Sequence, residues 1–181
     1  MGEISGTTHA GTHADAPIHI DPAGASIDAL PLDAFAGSAM LVDVAGGEGP
    51  VSSAEIEAAL AAAHGEGRES ASGPIERLLL CTGCDWSAGF PARFRCLDAG
   101  AAAWCVERGL ALVGTDAPSV DPLASETLDA HRVLIGAGVA IVEGLALAGI
   151  DPGRYALVAF PLRWVGADAS PVRAALRRIE P

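Results

Sequence analysis

Short apolar runs, separated by polar and glycine-containing breaks, follow one another along most of the chain. They have the length of buried β-strands and lie at residues 39–44, 75–81, 110–114, 139–142 and 155–162. Residues 172–179 are predicted to form either a strand or a helix. Glycine and proline punctuate residues 1–35, which are therefore predicted to be rich in loops.

The first predicted helix lies between two of these strands. Ser52 followed by Glu55 has the spacing of a capping box, in which each side chain hydrogen-bonds to the backbone of the other residue. An Ala-rich helix is therefore predicted from this pair to about Ala63. Residues 64–73 are polar and small, which predicts an exposed turn with His64 on the solvated surface.

Two further helices complete the pattern. Asp98 is the predicted N-cap of a helix over residues 99–108, which ends at Gly109. A brief helix is predicted over residues 130–135. The element order β-α-β-α-β-α-β-β indicates a single-domain α/β fold, in which helices and a mixed sheet pack in layers.

The composition supports a compact fold and argues against two classes of partner. Half of the 181 residues are hydrophobic, which is enough for a substantial core. The formal net charge is −12, from 23 acidic and 11 basic residues, so repulsion disfavours nucleic acids and anionic membranes. The chain start has no secretory pattern and no apolar run reaches membrane-spanning length, so a cytoplasmic location is expected.

Cys81 and Cys84 form a CxxC pair, which is a candidate redox dithiol or one half of a zinc site. A reactive dithiol is favoured at a helix N-terminus, whereas this pair lies where a predicted strand runs into a loop. Cys96 and Cys105 are too far apart to supply the second half of a zinc site. The cysteines are therefore predicted to be small apolar residues in a reducing compartment.

The histidines carry the clearest chemical signal. His9, His13, Asp15 and His19 fall within eleven residues of a segment that also contains glycine and proline. Imidazole nitrogens and a carboxylate oxygen are ligands that zinc prefers and that manganese and iron tolerate. Asp15 has two oxygens and can bridge a pair of ions about 3.5–4 Å apart. Solvated loop histidines, or a purely structural or regulatory metal site, remain the alternatives on these residues alone.

Residues 9–19 resemble the HxGTHxDxPxH signature of the cyclase-type metal-dependent hydrolases, and most closely that of the bacterial kynurenine formamidases. Other segments are similar to the family in the same order, at residues 30–33, 109–122, 128–131, 141–144, 161–162 and 168–174. The similarity covers almost the whole chain, which is therefore identified as a member of this family.

The resemblance implies a site of two divalent ions per chain, with zinc as the expected metal and manganese as the alternative. It assigns one ion to His9, His13 and Asp15, and the other to Asp15, His131 and Glu143. Asp15 is then the bridge between the two ions.

The resemblance also implies a proton carrier, a topology and an assembly. His19 matches the family's proton donor and acceptor, close to the second ion. The implied fold is a swivelling β/β/α arrangement with a mixed sheet and flanking helices, and the implied assembly is a homodimer.

Members of the family have an opening strand ahead of the first ligand, whereas only Met1 to Thr8 precede His9 here. That strand is therefore expected to be missing from this chain, either because the natural start lies upstream or because the protein has lost this portion.

The activity implied is hydrolysis of N-formyl-L-kynurenine to L-kynurenine and formate, a step of tryptophan degradation. The small-molecule substrate is thus expected to be an aryl formamide. Two alternatives stay open: hydrolysis of another aryl or cyclic amide such as isatin, and a metal-binding relative without catalysis.

Residues around the predicted ligands are expected to have supporting roles. Thr12 is predicted to orient a ligand through a hydrogen bond. Asp116, Ser119 and Asp121 follow a predicted strand and are expected to shape its loop. Trp86 is a candidate for lining the substrate pocket.

Overall fold

The computed structural model of the protein describes residues 1–3, 5–64 and 74–179. Within these ranges, strands form one mixed sheet of eight in the order β7-β1-β5-β4-β3-β2-β6-β8. Their bounds are His13–Asp15 (β1), Ala36–Asp43 (β2), Arg77–Cys81 (β3), Leu112–Thr115 (β4), Ala140–Glu143 (β5), Gly153–Val158 (β6), Ala169–Pro171 (β7) and Ala175–Arg178 (β8). Strands β2 to β5 pair in parallel, and the other pairs are antiparallel.

The α-helices lie on one face of the sheet and are Ser53–His64 (α1), Ala99–Glu107 (α2) and Asp129–Gly136 (α3). Leu78 and Leu80 of β3 pack towards these helices, while Leu79 between them belongs to the opposite apolar cluster. That opposite face is covered by short 3-10 segments through Ile27 and Phe35. Burial on both faces explains why the central strands read as continuous apolar runs. The predicted single-domain α/β fold is confirmed.

Helix starts follow the predicted caps. The Ser52 backbone N–H donates to Glu55 Oε2 at 2.9 Å, and the Glu55 N–H donates to Ser52 Oγ at 3.3 Å, which completes the capping box. Asp98 accepts from the Ala101 N–H at 2.7 Å as the N-cap of α2. Because α1 ends at His64, the predicted turn after it falls on residues 65–73, outside the described ranges.

Three sequence predictions need correction at the sheet margins. Residues 1–35 are not only loop, because His13–Asp15 forms β1 between β5 and β7; its polar side chains give no apolar alternation. The strand predicted over 155–162 ends at Val158; Ala159 after it is still buried, but Phe160 and Leu162 are about half exposed. Ala169–Pro171 forms a strand that its sequence does not signal, whereas Ala175–Arg178 settles the ambiguous C-terminal segment as a strand.

None of the helices in the described ranges is both long enough and apolar enough to span a bilayer.

Candidate metal centre

The pairing of β1 with β5 creates the centre. In this antiparallel register His13 lies opposite Glu143, and Ala14 lies opposite Val142. Ala14 and Val142 join the apolar cluster on the face away from the helices. Since side chains alternate along a strand, His13, Glu143 and Asp15 project from the helix-bearing face. His13 Nε2 lies 3.3 Å from Glu143 Oε2.

Helix α3 brings His131 to the same place. The His131 side chain is 2 % exposed, and its Nε2 lies 3.1 Å from Asp15 Oδ2 and 3.3 Å from Glu143 Oε1. Glu143 Oε1 also accepts a hydrogen bond from the Val120 N–H at 2.7 Å, which fixes this carboxylate. The packing of α3 thus brings His131 into contact with Asp15, although the two residues are 116 positions apart in the chain.

Asp15 is the middle of the arrangement. Its carboxylate has no exposed surface, and its two oxygens face different histidines. Oδ1 lies 3.0 Å from His9 Nδ1 and 3.5 Å from His13 Nε2, whereas Oδ2 faces His131. Among the described residues, ligand atoms within 4.8 Å of one another are offered by two groups that share Asp15: His9, His13 and Asp15, and Asp15, His131 and Glu143.

In each of His9, His13 and His131, the ring nitrogen that faces away from the Asp15 carboxylate has a hydrogen-bond acceptor. His9 Nε2 lies 3.2 Å from a carboxylate oxygen of Asp168, and His131 Nδ1 lies 2.7 Å from Asp121 Oδ2. The Gly11 carbonyl oxygen lies 2.9 Å from His13 Nδ1. Such partners fix the ring orientation and the tautomer of metal-binding histidines. The inward nitrogens are therefore free of protons when the rings are neutral, and all three point at Asp15 or Glu143.

Two buried polar atoms at the middle lack hydrogen-bond partners. They are His13 Nε2 and Asp15 Oδ1. His9 Nδ1 is close to that oxygen, at 3.0 Å, but the pair does not have hydrogen-bond geometry. An unsatisfied buried polar group costs about 1–3 kcal/mol, so two of them side by side call for a further partner. A divalent cation between them would bind both atoms, and the donor set of imidazole and carboxylate suits zinc.

The charges of the centre also favour a cation. Burial alone would raise the pKa of Asp15, but the hydrogen bond from His131 and the close contacts with His9 and His13 keep that pKa well below its usual range. Burial would lower the pKa of His131, yet its contacts with Asp121, Asp15 and Glu143 raise the pKa to about 11. The pKa values of His9 and His13 are also raised against burial, that of His9 by Asp15 and Asp168 and that of His13 by Glu143 and Asp15. In the absence of metal, protons take the place that a cation would occupy.

His19 lies beside this centre rather than inside it. It ends the short helix Pro17–His19, and its side chain is 25 % exposed. Its ring centroid is 4.4 Å from that of His9 and 5.6 Å from that of His131. Burial lowers the pKa of His19; the negative charges of Asp15 and Asp168 oppose this, the positive charges of His9 and His131 add to it, and the net shift is downward. Its ring is therefore neutral at pH 7 and able to take up a proton.

The loop that carries His9 and His13 depends on a glycine. Thr12 Oγ1 donates to the Gly144 carbonyl oxygen at 2.7 Å, so Thr12 ties this loop to the residue after Glu143 instead of contacting a ligand side chain. Gly144 has a φ of +64°, and a Cβ there would lie 2.5 Å from the Gly11 carbonyl oxygen. Only glycine allows the two segments to approach this closely.

The acidic residues after β4 shape loops, as predicted, and one of them also supports the centre. Asp116 accepts from the N–H groups of Thr82, Gly83 and Cys84. Asp121, which is 3 % exposed, accepts from the Ala130 and His131 N–H groups in addition to the His131 ring. Sequence reasoning gave Asp168 no role at the centre. Its contact with His9 spans 159 residues, and only its place in a family-like segment pointed to it.

Buried imidazoles and carboxylates on a mixed α/β sheet form the kind of site that metal-dependent hydrolases use. A family model described as a putative cyclase matches residues 2–122, which is more than half of the chain. The chain belongs to this cyclase family, as its resemblance predicted, and it is an amidohydrolase.

Individual relatives are similar over nearly the full chain. A kynurenine formamidase from Salinibacter ruber is 40 % identical, covering 98 % of this chain and 79 % of the relative. The kynurenine formamidase from Sphingopyxis alaskensis is 42 % identical over 99 % of this chain and 81 % of the relative.

Solved structures agree with the fold. One described as a potential metal-dependent hydrolase with cyclase activity has a TM-score of 0.84 and 31 % identity, covering 99 % of this chain and 83 % of that one. Isatin hydrolase A from Labrenzia aggregata has a TM-score of 0.73 and 25 % identity, covering 95 % and 74 %.

Proposed function

We propose that the protein hydrolyses N-formyl-L-kynurenine to L-kynurenine and formate at a centre of two divalent ions, with zinc as the native metal and manganese as the alternative. The observation that carries the proposal is the Asp15 carboxylate, which presents one oxygen to His9 and His13 and the other to His131. A carboxylate shared between two ligand groups can bridge two ions at the separation of about 3.5–4 Å that two-metal hydrolases use.

The substrate follows from the relatives. The chain is 40 % and 42 % identical to two kynurenine formamidases over 98 % and 99 % of its length. At this identity, with every predicted ligand brought together by the fold, a shared substrate class is the simplest account.

The proposed ligands divide between the two ions as the geometry groups them. One ion is held by His9, His13 and Asp15, and the other by Asp15, His131 and Glu143. When bound, the ions supply Lewis acidity that polarises the formyl carbonyl and makes water a stronger acid. Asp121, Asp168 and the Gly11 carbonyl hold the three histidine rings in place for this role.

His19 is the proposed proton carrier. Its ring is half-buried beside the centre, and its lowered pKa leaves it neutral at pH 7, so it accepts a proton from the attacking water. The same imidazole then donates that proton to the nitrogen of the departing arylamine, which leaves as a neutral amine. Its side chain is 25 % exposed, which supports a role that requires contact with a substrate from solution.

A second candidate is hydrolytic opening of isatin, a cyclic aryl amide. Isatin hydrolase A shares the fold at a TM-score of 0.73. Its 25 % identity is well below that of the formamidases, so this activity ranks second.

We also propose a homodimer, which light scattering of the purified protein tests directly.

The test of function is formate release from N-formyl-L-kynurenine by purified, zinc-loaded protein. His19→Ala is expected to lower turnover by about 10²–10⁴-fold, the usual contribution of a general acid–base group. Asp21→Asn is the matched control, because Asp21 is an exposed carboxylate two residues further on. If the loaded protein releases no formate but opens isatin, the second candidate replaces the first.

A further inference from the structure

A second, more open cluster lies on the solvent side of the buried centre. Among the described residues, His9, His19 and Asp168 also offer ligand atoms within 4.8 Å of one another. Their side chains are 24 %, 25 % and 44 % exposed, whereas those of His13, His131 and Glu143 are at most 4 % exposed. This outer cluster is therefore open to ions from solution.

The Asp168 carboxylate is held in a defined orientation. Thr8 Oγ1 donates to its Oδ1 at 2.9 Å, which leaves Oδ2 facing the two imidazoles. Oδ2 lies 3.2 Å from His9 Nε2 and 3.8 Å from His19 Nδ1. The longer distance is beyond a hydrogen bond, so His19 and Asp168 are adjacent without being bonded to each other.

That separation is close to the spacing of two ligands on one ion. With metal–ligand distances of about 2.0–2.2 Å, two ligands of a tetrahedral zinc ion stand about 3.4 Å apart. A small side-chain rotation brings His19 Nδ1 and Asp168 Oδ2 from 3.8 Å to that spacing. His9 takes the role of a supporting partner, because its other nitrogen, Nδ1, is directed at Asp15 in the buried centre.

We propose that His19 and Asp168 form an additional divalent-cation site, and that its occupation inhibits the enzyme. This ion has two protein ligands and water, so it binds more weakly than ions in the buried groups, each of which has three protein ligands. Inhibition follows because an ion on His19 Nδ1 fixes the imidazole that the proposed hydrolysis needs for proton transfer. The inhibitory consequence rests on the proposed function, whereas the site itself does not.

Zinc uptake measured by equilibrium dialysis tests the site without reference to turnover. At low free zinc, dialysis reports the buried centre, and at high free zinc it reports the additional site. The wild type and the exposed-carboxylate control Asp21→Asn are expected to gain one further ion per chain at high zinc. His19→Ala is expected to lose that gain and to keep the low-zinc uptake, whereas Asp168→Asn is expected to lose the gain and also to bind zinc more weakly at the buried centre, because Asp168 supports His9. Saturation of the wild type at the low-zinc level, or retention of the extra ion by His19→Ala, overturns the proposal.

Formate release measured over the same zinc range tests the consequence. Wild-type turnover is expected to fall as the weak ion binds, whereas the rate of Asp168→Asn is expected to show no fall as zinc rises. Turnover that does not respond while the extra ion binds refutes the inhibitory role. Absence of formate release at every zinc concentration indicates failure of the proposed function, which the uptake measurement separates from failure of the site.

Discussion

Replacement of Asp121 by asparagine perturbs the centre without replacing any proposed metal ligand. Asp121 Oδ2 accepts from the His131 ring at 2.7 Å and from the His131 N–H at 3.0 Å, while Oδ1 accepts from the Ala130 N–H at 3.0 Å. An amide has one acceptor oxygen, so Asp121→Asn can serve either oxygen position but not both. If it serves His131, the amide NH₂ faces the Ala130 N–H and one buried donor is left without an acceptor.

The expected magnitudes follow from these contacts. One unsatisfied buried donor costs about 1–3 kcal/mol, and at about 2–4 °C per kcal/mol for a domain of this size the melting temperature falls by about 2–12 °C. Loss of the carboxylate behind His131 is expected to weaken metal affinity by about 10- to 100-fold, the usual effect of removing such a partner.

Thermal unfolding of the metal-free protein and chelator competition with zinc measure the two effects separately. Glu126→Gln is the matched control, because it removes an exposed carboxylate from the same loop. If Asp121→Asn matches the control in both melting temperature and zinc affinity, Asp121 does not hold His131 for metal binding, and the account of this residue is refuted.

Three further outcomes are expected. Gly144→Ala is expected to lower the free energy of unfolding in urea more than Gly138→Ala does. Both glycines have a positive φ, but only an alanine at position 144 would place its Cβ 2.5 Å from the Gly11 carbonyl oxygen. Equal losses would exclude the steric cost. Burial, with nearby carboxylates, raises the pKa of Cys84 to about 11. The reaction of Cys84 with a thiol reagent is therefore expected to be slow at pH 8 and to speed up about tenfold per pH unit up to pH 10. Rapid labelling of Cys84 at pH 7 would support a redox role for the CxxC pair instead. Because the metal-free pKa of His131 is about 11, zinc binding is expected to release a proton and to weaken as pH falls; calorimetric heats independent of the buffer would contradict this.

Local sequence patterns predicted much of this fold. The capping box at Ser52 and the N-cap at Asp98 depend on contacts three residues apart, and both form as expected. The parallel strands are buried on both faces, so their apolar runs are visible in the sequence. In contrast, β1 is the buried segment His13–Asp15. It is only three residues long and contains two polar residues, so it has no apolar pattern that would predict a strand.

The candidate centre was predictable only in part. The spacing of His9, His13 and Asp15 signals a metal site locally, while His131 and Glu143 were assigned through the family resemblance. The support from Asp168 comes from a contact across 159 residues, which no local pattern reveals. Likewise, the need for glycine at position 144 arises from its approach to a loop that is distant in sequence.

The central claim is that Asp15 bridges two ions, and anomalous diffraction from crystals with two zinc equivalents per chain tests it most directly. The account predicts two anomalous peaks about 3.5–4 Å apart, one on each side of the Asp15 carboxylate. One peak should contact His9 and His13, and the other should contact His131 and Glu143. A single peak, or two peaks of which one does not contact Asp15, would contradict the account.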